Sequence, residues 1–161
     1  MGNLGLSYFG TMYMIMILVP NIKWSKNKPS NYNPQDENPI LLFLERSGQI
    51  LCTITVVCFS NTNPQKIDLW LIWLVLSLVL MLLYEGFWLR YFRGQHTMSD
   101  FYRPYLGFPY PGASLPVTAF LFLGIYGKLW ALIIASIILA IGHIGIHIHH
   151  YRKLTIINER K

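Results

Sequence analysis

Five apolar runs separated by polar connections account for most of the chain: residues 4–20, 40–59, 69–89, 113–126 and 129–148. A helix rises about 1.5 Å per residue, so about 20 apolar residues cross the ~30 Å hydrocarbon core of a bilayer. The pattern therefore predicts an all-α, polytopic integral membrane helix bundle. It would have about five transmembrane helices, with residues 1–161 forming a single domain. A Pro- and Asn-rich loop spans 21–39, a short polar turn 60–68, and an aromatic, basic loop 90–112. Gly127-Lys128 makes a turn between the last two runs, and a charged tail follows residue 148. The fourth run is short enough to be a re-entrant segment instead of a crossing.

Composition supports the class. Of 161 residues, 53% are hydrophobic and only 12% charged, whereas a soluble domain is about a quarter charged. The net charge of +6 would raise nucleic acid as a partner for a soluble chain. Here it has another source, because cytoplasmic loops of membrane proteins collect Lys and Arg. With five crossings, one side holds Lys23, Lys26, Lys28, Arg46, Arg90, Arg93, Arg103, Arg152, Lys153, Arg160 and Lys161, and the other only Lys66 and Lys128. With four crossings the split is eight against five. The positive-inside rule thus predicts five crossings of the cell membrane, N-terminus outside and C-terminus cytoplasmic. Trp70, Trp73 and Trp130 fall at the outer helix ends and Trp24 and Trp88 at the inner ends, the depth that indole rings prefer. The expected partner is the lipid bilayer and not nucleic acid.

Cys52 and Cys58 would sit about 9 Å apart on one helix, beyond the ~7 Å reach of a disulfide, and read as packing residues. Residues 1–6 contain no Lys or Arg, so the first run reads as a membrane helix and not as a signal peptide. Ala131 and Ala135, Ser136 and Ala140, then Gly142 and Gly145 lighten the fifth run. Small residues mark close helix contacts in lipid, here within the bundle, in a homo-oligomer or against a partner membrane subunit.

Candidate chemistry gathers at one depth. Glu45, Arg46, Glu85, His143 and His147 all fall toward the cytoplasmic half, and ionisable residues within spans usually face a bundle interior or a water-filled cavity. Glu85 is expected to meet a basic group from another segment, such as Arg46, Arg90 or a histidine. His143, His147 and His150 are spaced i, i+4, i+7 and share one helix face. This fits an interfacial polar helix end, a proton-linked role, or two ligands of a metal. With one histidine box and no H-E-x-x-H, no metal is expected. In the 90–112 loop, Arg90, Arg93, His96, Arg103 and Tyr105 lie among aromatic rings. Arginine forks match phosphate and carboxylate, so the loop reads as a headgroup site or as a membrane-hugging connection. Thr97 and Asp100 have capping-box-like spacing for a short helix.

Arg103-Pro104-Tyr105-Leu106-Gly107 precedes the final helix hairpin. Over these five residues the chain resembles membrane-bound isoprenylcysteine and phospholipid methyltransferases, which carry Arg-His-Pro-x-Tyr-x-Gly at that place. The His and the acidic pair expected after the hairpin are missing, so no site residue is carried over.

The combined expectation is a cytoplasm-facing polar pocket. Glu85, His143 and His147 would supply acid–base groups, and Glu45, Arg46, Arg90, Arg93, His96, Arg103 and Tyr105 would bind an anionic lipid or amphiphile. A proton-coupled carrier and a non-catalytic accessory subunit are the alternatives. The sequence names no cofactor.

Overall fold

The computed structural model describes residues 2–29, 32 and 37–159, with side chains through residue 155. The helices are α1 (Tyr8–Lys26), α2 (Pro39–Cys58), α3 (Ile72–Arg93), α4 (Met98–Tyr102), α5 (Pro111–Tyr126), α6 (Trp130–Leu139) and α7 (Gly145–Glu159). A 3-10 turn, Leu69–Leu71, leads into α3, and a π turn, Ala140–Ile144, joins α6 to α7. The described residues contain isolated bridges but no named strand.

Local chemistry starts these helices where the sequence changes character. Ser7 Oγ accepts the Gly10 N–H at 2.8 Å, and Asn38 Oδ1 accepts from Ile40 at 2.9 Å ahead of Pro39. Each satisfies a donor that a helix start would leave orphaned. Thr97 and Asp100 form the reciprocal capping box that their spacing suggests.

Three helices are long and apolar enough to cross a membrane: Pro39–Cys58, Leu69–Arg93 and Trp130–Thr155. The 16-residue α5 is apolar but, at about 24 Å, shorter than the hydrocarbon core. It is buried on most sides between α3 and α6. The 19-residue α1 is not among the three long apolar helices; Pro20, Asn21, Lys23 and Lys26 make its second half polar. Outward faces are apolar: Phe43, Leu82 and Ile134 are 70%, 57% and 56% exposed. Such a surface is disfavoured in water and natural against lipid. The fold is an all-α membrane helix bundle.

The inside holds interlocking rings and a few satisfied hydroxyls. Tyr13 and Ser77 hydroxyls are 3.0 Å apart, and Ser77 donates to the Ala119 carbonyl at 2.7 Å, which links α1, α3 and α5. The small residues of α6 and the π turn meet α2. A Cβ on Gly48 would lie 2.6 Å from Leu139 Cα, and one on Gly142 would collide with the Glu45 backbone. The lower part of the small face is thus occupied within the chain, while Ala131 stays exposed.

The bundle has two distinct ends. At one, Ser7 bonds Thr62 at 2.6 Å and Trp70 Nε1 donates to the Tyr126 carbonyl at 3.0 Å. Lys128 sits over the Trp70 ring there, and Lys66 lies in the adjoining loop. The other described cations lie toward the opposite end, where α4 covers the tips of α1, α3 and α7.

Candidate functional site

At the basic end, α2 lies so close to the π turn that Glu45 faces His143. Glu45 Oε1 and His143 Nδ1 form an ion pair. π turns occur mostly as single insertions that re-aim side chains, often at functional sites. One turn on, the His147 ring lies edge-on to His143 with centroids 4.7 Å apart. Its other side is stacked on Phe101 of α4 at 5.7 Å. Beyond it, His150 Nε2 bonds Glu37 Oε1 at 3.1 Å, and the Tyr32 hydroxyl donates to the same oxygen at 3.1 Å. Three imidazoles and two carboxylates thus form one row along the π turn and α7. Burial pushes the Tyr32 hydroxyl above the usual phenol range, and the neighbouring Glu37 carboxylate adds to this. Burial likewise raises Tyr102, with smaller contributions from Tyr32 and Glu37. Both hydroxyls therefore remain proton donors at neutral pH. Tyr102 is 2% exposed, its hydroxyl has no hydrogen-bond partner, and its ring is 5.7 Å from that of His147.

A separate cleft of about 530 Å³ brings together Arg90, Arg93, Arg103 and Tyr105 with Gly86 and Asp100. Arg90 is the staple of its loop. It donates to the carbonyls of Pro104 at 2.8 Å, Arg103 at 2.8 Å and Asp100 at 3.3 Å. Its guanidinium also lies 5.1 Å from the Tyr105 ring centroid. Gly86 leaves room for Tyr105: a Cβ there would stand 2.5 Å from the Tyr105 hydroxyl. Arg93 and Arg103 are exposed and form no ion pair among the described residues. The Asp100 carboxyl is partly desolvated, which raises its pKa. Hydrogen bonds from Thr97 and Gln95 outweigh that and hold it below the usual carboxylate range. A second cleft, about 430 Å³, opens between α4 and α7, lined by Ser99, Tyr102, Arg103, Pro104, Tyr151, Leu154 and Thr155.

The expected single pocket is therefore divided. Glu45, His143 and His147 form the row; Arg90, Arg93, Arg103 and Tyr105 form the cleft, with Phe101 between them. Arg46 is exposed and has no polar partner among the described residues, pointing away from its neighbour Glu45. His96 takes a positive φ of 54° and packs on the Tyr91 ring at 5.3 Å, outside both groups. The basic partner expected for Glu85 is not there. Its Oε1 is buried without a hydrogen bond, and the ion pairs among the described residues are His143–Glu45 and His150–Glu37. The physical reason is that Arg90, one candidate partner, turns its donors to loop carbonyls instead.

Sequence reasoning missed Tyr32, Glu37 and Tyr102, and it left His150 out of the pocket, whereas His150 is 5% exposed and bonds Glu37. The i, i+7 spacing of His143 and His150 was the available signal; Glu37, in a polar loop, offered none. Among the described residues no group of three or more His, Cys, Asp or Glu has a metal-holding arrangement. Comparison with known protein families, curated proteins and solved structures finds no match. The class rests on the fold itself, a membrane helix bundle with a carboxylate–imidazole row at its basic end.

Proposed function

We propose that this is a multi-pass protein of the cell membrane, with its basic end in the cytoplasm, that performs acid–base chemistry on the headgroup of an anionic lipid or other amphiphile. The observation that carries this reading is the Glu45–His143–His147 group. A carboxylate from one helix orients an imidazole of another, and a second imidazole without a carboxylate stands beside it. In such an arrangement the carboxylate fixes the first ring and the second is free to take or give a proton. Exposed Arg103 at the adjoining cleft supplies charge for an anionic group. Orientation is supported by the concentration of cations at this end. Labelling from outside of a cysteine placed at Lys153 would overturn it.

The test is mass spectrometry of lipids retained by the purified protein, followed by incubation with a membrane lipid extract. The wild type is expected to retain an anionic lipid and to change the composition of the extract. The double variant His143→Ala/His147→Ala should fold and retain lipid but leave the extract unchanged. A double variant as active as the wild type, or a wild type that neither retains nor alters lipid, overturns the proposal.

A second reading, a proton-coupled carrier, is favoured by the length of the row, which runs from Glu45 to Tyr32. Its three imidazoles and two carboxylates are the kind of chain that relays protons in membrane proteins. Proton flux into proteoliposomes that is lost on His147→Asn would favour the carrier over the enzyme.

A further inference from the structure

We infer that the smaller cleft, between α4 and α7, is the binding site for the phosphate-bearing headgroup of a lipid, anchored by Arg103, and that this cleft leads to the histidines. The inference rests on the acid–base reading above, since it names the substrate class and the approach to the same row.

The first argument is connectivity. The larger cleft lies behind Phe101, whose ring packs on Phe87, Trp88 and Tyr91 at centroid distances of 5.7, 5.9 and 5.5 Å. That ring also stacks on His147 and meets Trp24 at 5.9 Å and Tyr102 at 5.1 Å. A ligand in the larger cleft therefore meets a hydrocarbon wall before it meets an imidazole. Tyr102 lines the smaller cleft and touches His147 directly.

Charge permits the same assignment, since Arg103 lines both clefts. The larger cleft contains the Asp100 carboxylate, which its hydrogen bonds keep ionised, and its Arg90 is committed to backbone carbonyls. An anion there meets the exposed Arg93 but also one fixed negative charge. The smaller cleft contains no carboxylate. The Arg103 guanidinium, which makes no hydrogen bond or ion pair among the described residues, offers the planar fork that binds phosphate bidentately.

The remaining lining is amphipathic. Ser99 carries a hydroxyl with no hydrogen bond among the described residues. The unpartnered Tyr102 hydroxyl is a buried donor in want of an acceptor, a state that native structures rarely leave unanswered. Leu154, Pro104 and the Tyr151 ring supply apolar wall along the outer side of α7. A phosphate near Arg103 with a chain laid over Leu154 satisfies both halves.

The test uses the full-length protein in nanodiscs of phosphatidylcholine alone or of phosphatidylcholine with phosphatidic acid. Inorganic phosphate is added to the first as a third arm. Hydrogen–deuterium exchange of residues 97–104 and 150–155 and native mass spectrometry of retained lipid are the readouts. Phosphatidic acid is expected to protect both segments and to stay bound. Arg103→Gln should weaken retention by about tenfold or more, the scale of a lost charge-assisted bond. Thr155→Trp, which fills the smaller cleft from an exposed position, should do the same. Leu89→Trp, which fills the larger cleft, should leave retention unchanged. Loss with Leu89→Trp but not Thr155→Trp overturns the assignment, as does an Arg103→Gln variant that binds like wild type. Equal protection by inorganic phosphate alone overturns the lipid as the source of the phosphate. Retention in the smaller cleft without any change to the lipid would instead defeat the acid–base reading and leave the binding site standing.

Discussion

Replacing Gly142 with Ala tests whether the close crossing of α2 over the π turn holds Glu45 against His143. A Cβ at position 142 collides with the Glu45 backbone nitrogen and stands 2.7 Å from both Glu45 Cα and the Leu41 carbonyl oxygen. Carbon contacts settle at about 3.5–4.0 Å, so α2 must retreat by about 1 Å. The obstructing atoms are backbone and cannot rotate aside. Overpacking of this kind costs about 1–3 kcal/mol, offset by the roughly 0.5–1 kcal/mol that Ala gains over Gly in a helix. The net expectation is destabilisation centred on about 1 kcal/mol, within roughly 0–2.5 kcal/mol. Gly145 is the control. There a Cβ meets only the two Leu41 Cδ atoms at 3.1 Å, which a rotamer change removes. Gly145→Ala should then be neutral or stabilising by up to about 1 kcal/mol. Unfolding of both variants in mixed micelles with increasing sodium dodecyl sulfate gives the difference. Imidazole resonances of His143 report whether the Glu45 pair survives the retreat. Equal stability of the two variants, or an undisturbed His143 in Gly142→Ala, would refute the argument that the backbone crossing sets this pair.

Asp100 predicts a pH dependence. Its folded-state pKa lies below the ordinary value of about 3.9. Its contribution to the order of α4 is therefore complete above about pH 4 and lost only as pH falls through the lower folded value. Exchange protection of residues 95–103, corrected for intrinsic rates, should stay flat from neutral pH down to that point, and Asp100→Asn should lower it at neutral pH; a sigmoidal loss near pH 6 would contradict this. Arg90→Lys keeps the charge but cannot span three carbonyls, so the loop should lose about 1.5–3 kcal/mol of local stability and tryptic cleavage after Arg93 should quicken. Tyr13→Phe removes one partner of Ser77, which still donates to Ala119. A cost of about 0.5–1.5 kcal/mol is expected in the same micelle titration, and a larger loss would mean that the ring position had moved.

The helices were legible because a membrane leaves few alternatives, each run of apolar residues having to satisfy its own backbone. The second run, 40–59, and the fourth, 113–126, match α2 and α5 to within two residues. The first run, 4–20, starts four residues ahead of α1, and both it and the last stop short at their polar ends. α1 runs on to Lys26 because Lys23 and Lys26 extend a helix past the apolar boundary, and α7 runs on to Glu159 for the same reason. Hydropathy marks where lipid stops, and a helix does not have to stop there.

The candidate site was legible in one coordinate and hidden in another. Depth along a helix follows from residue number, which is why Glu45, Arg46, Glu85, His143 and His147 were pooled. Direction around the helix follows from packing, and adjacent residues differ by about 100°. Glu45 and Arg46 share a depth, yet one pairs with His143 and the other is exposed. The sequence does hold a clue to direction. Gly48 and Cys52 follow Glu45 at i+3 and i+7, both buried against α6, so the small-residue face of α2 carries Glu45 inward and leaves Arg46 outside. Glu85 has no such small-residue face. Its neighbours at i−3 and i+4, Leu82 and Leu89, are 57% and 58% exposed, while those at i−4 and i+3, Met81 and Trp88, are buried, so Glu85 stands where core meets lipid with Oε1 buried. Small residues at i+3 and i+7 of Glu45, and large ones at every i±3 and i±4 position of Glu85, thus separate a carboxylate that reaches a histidine from one that does not.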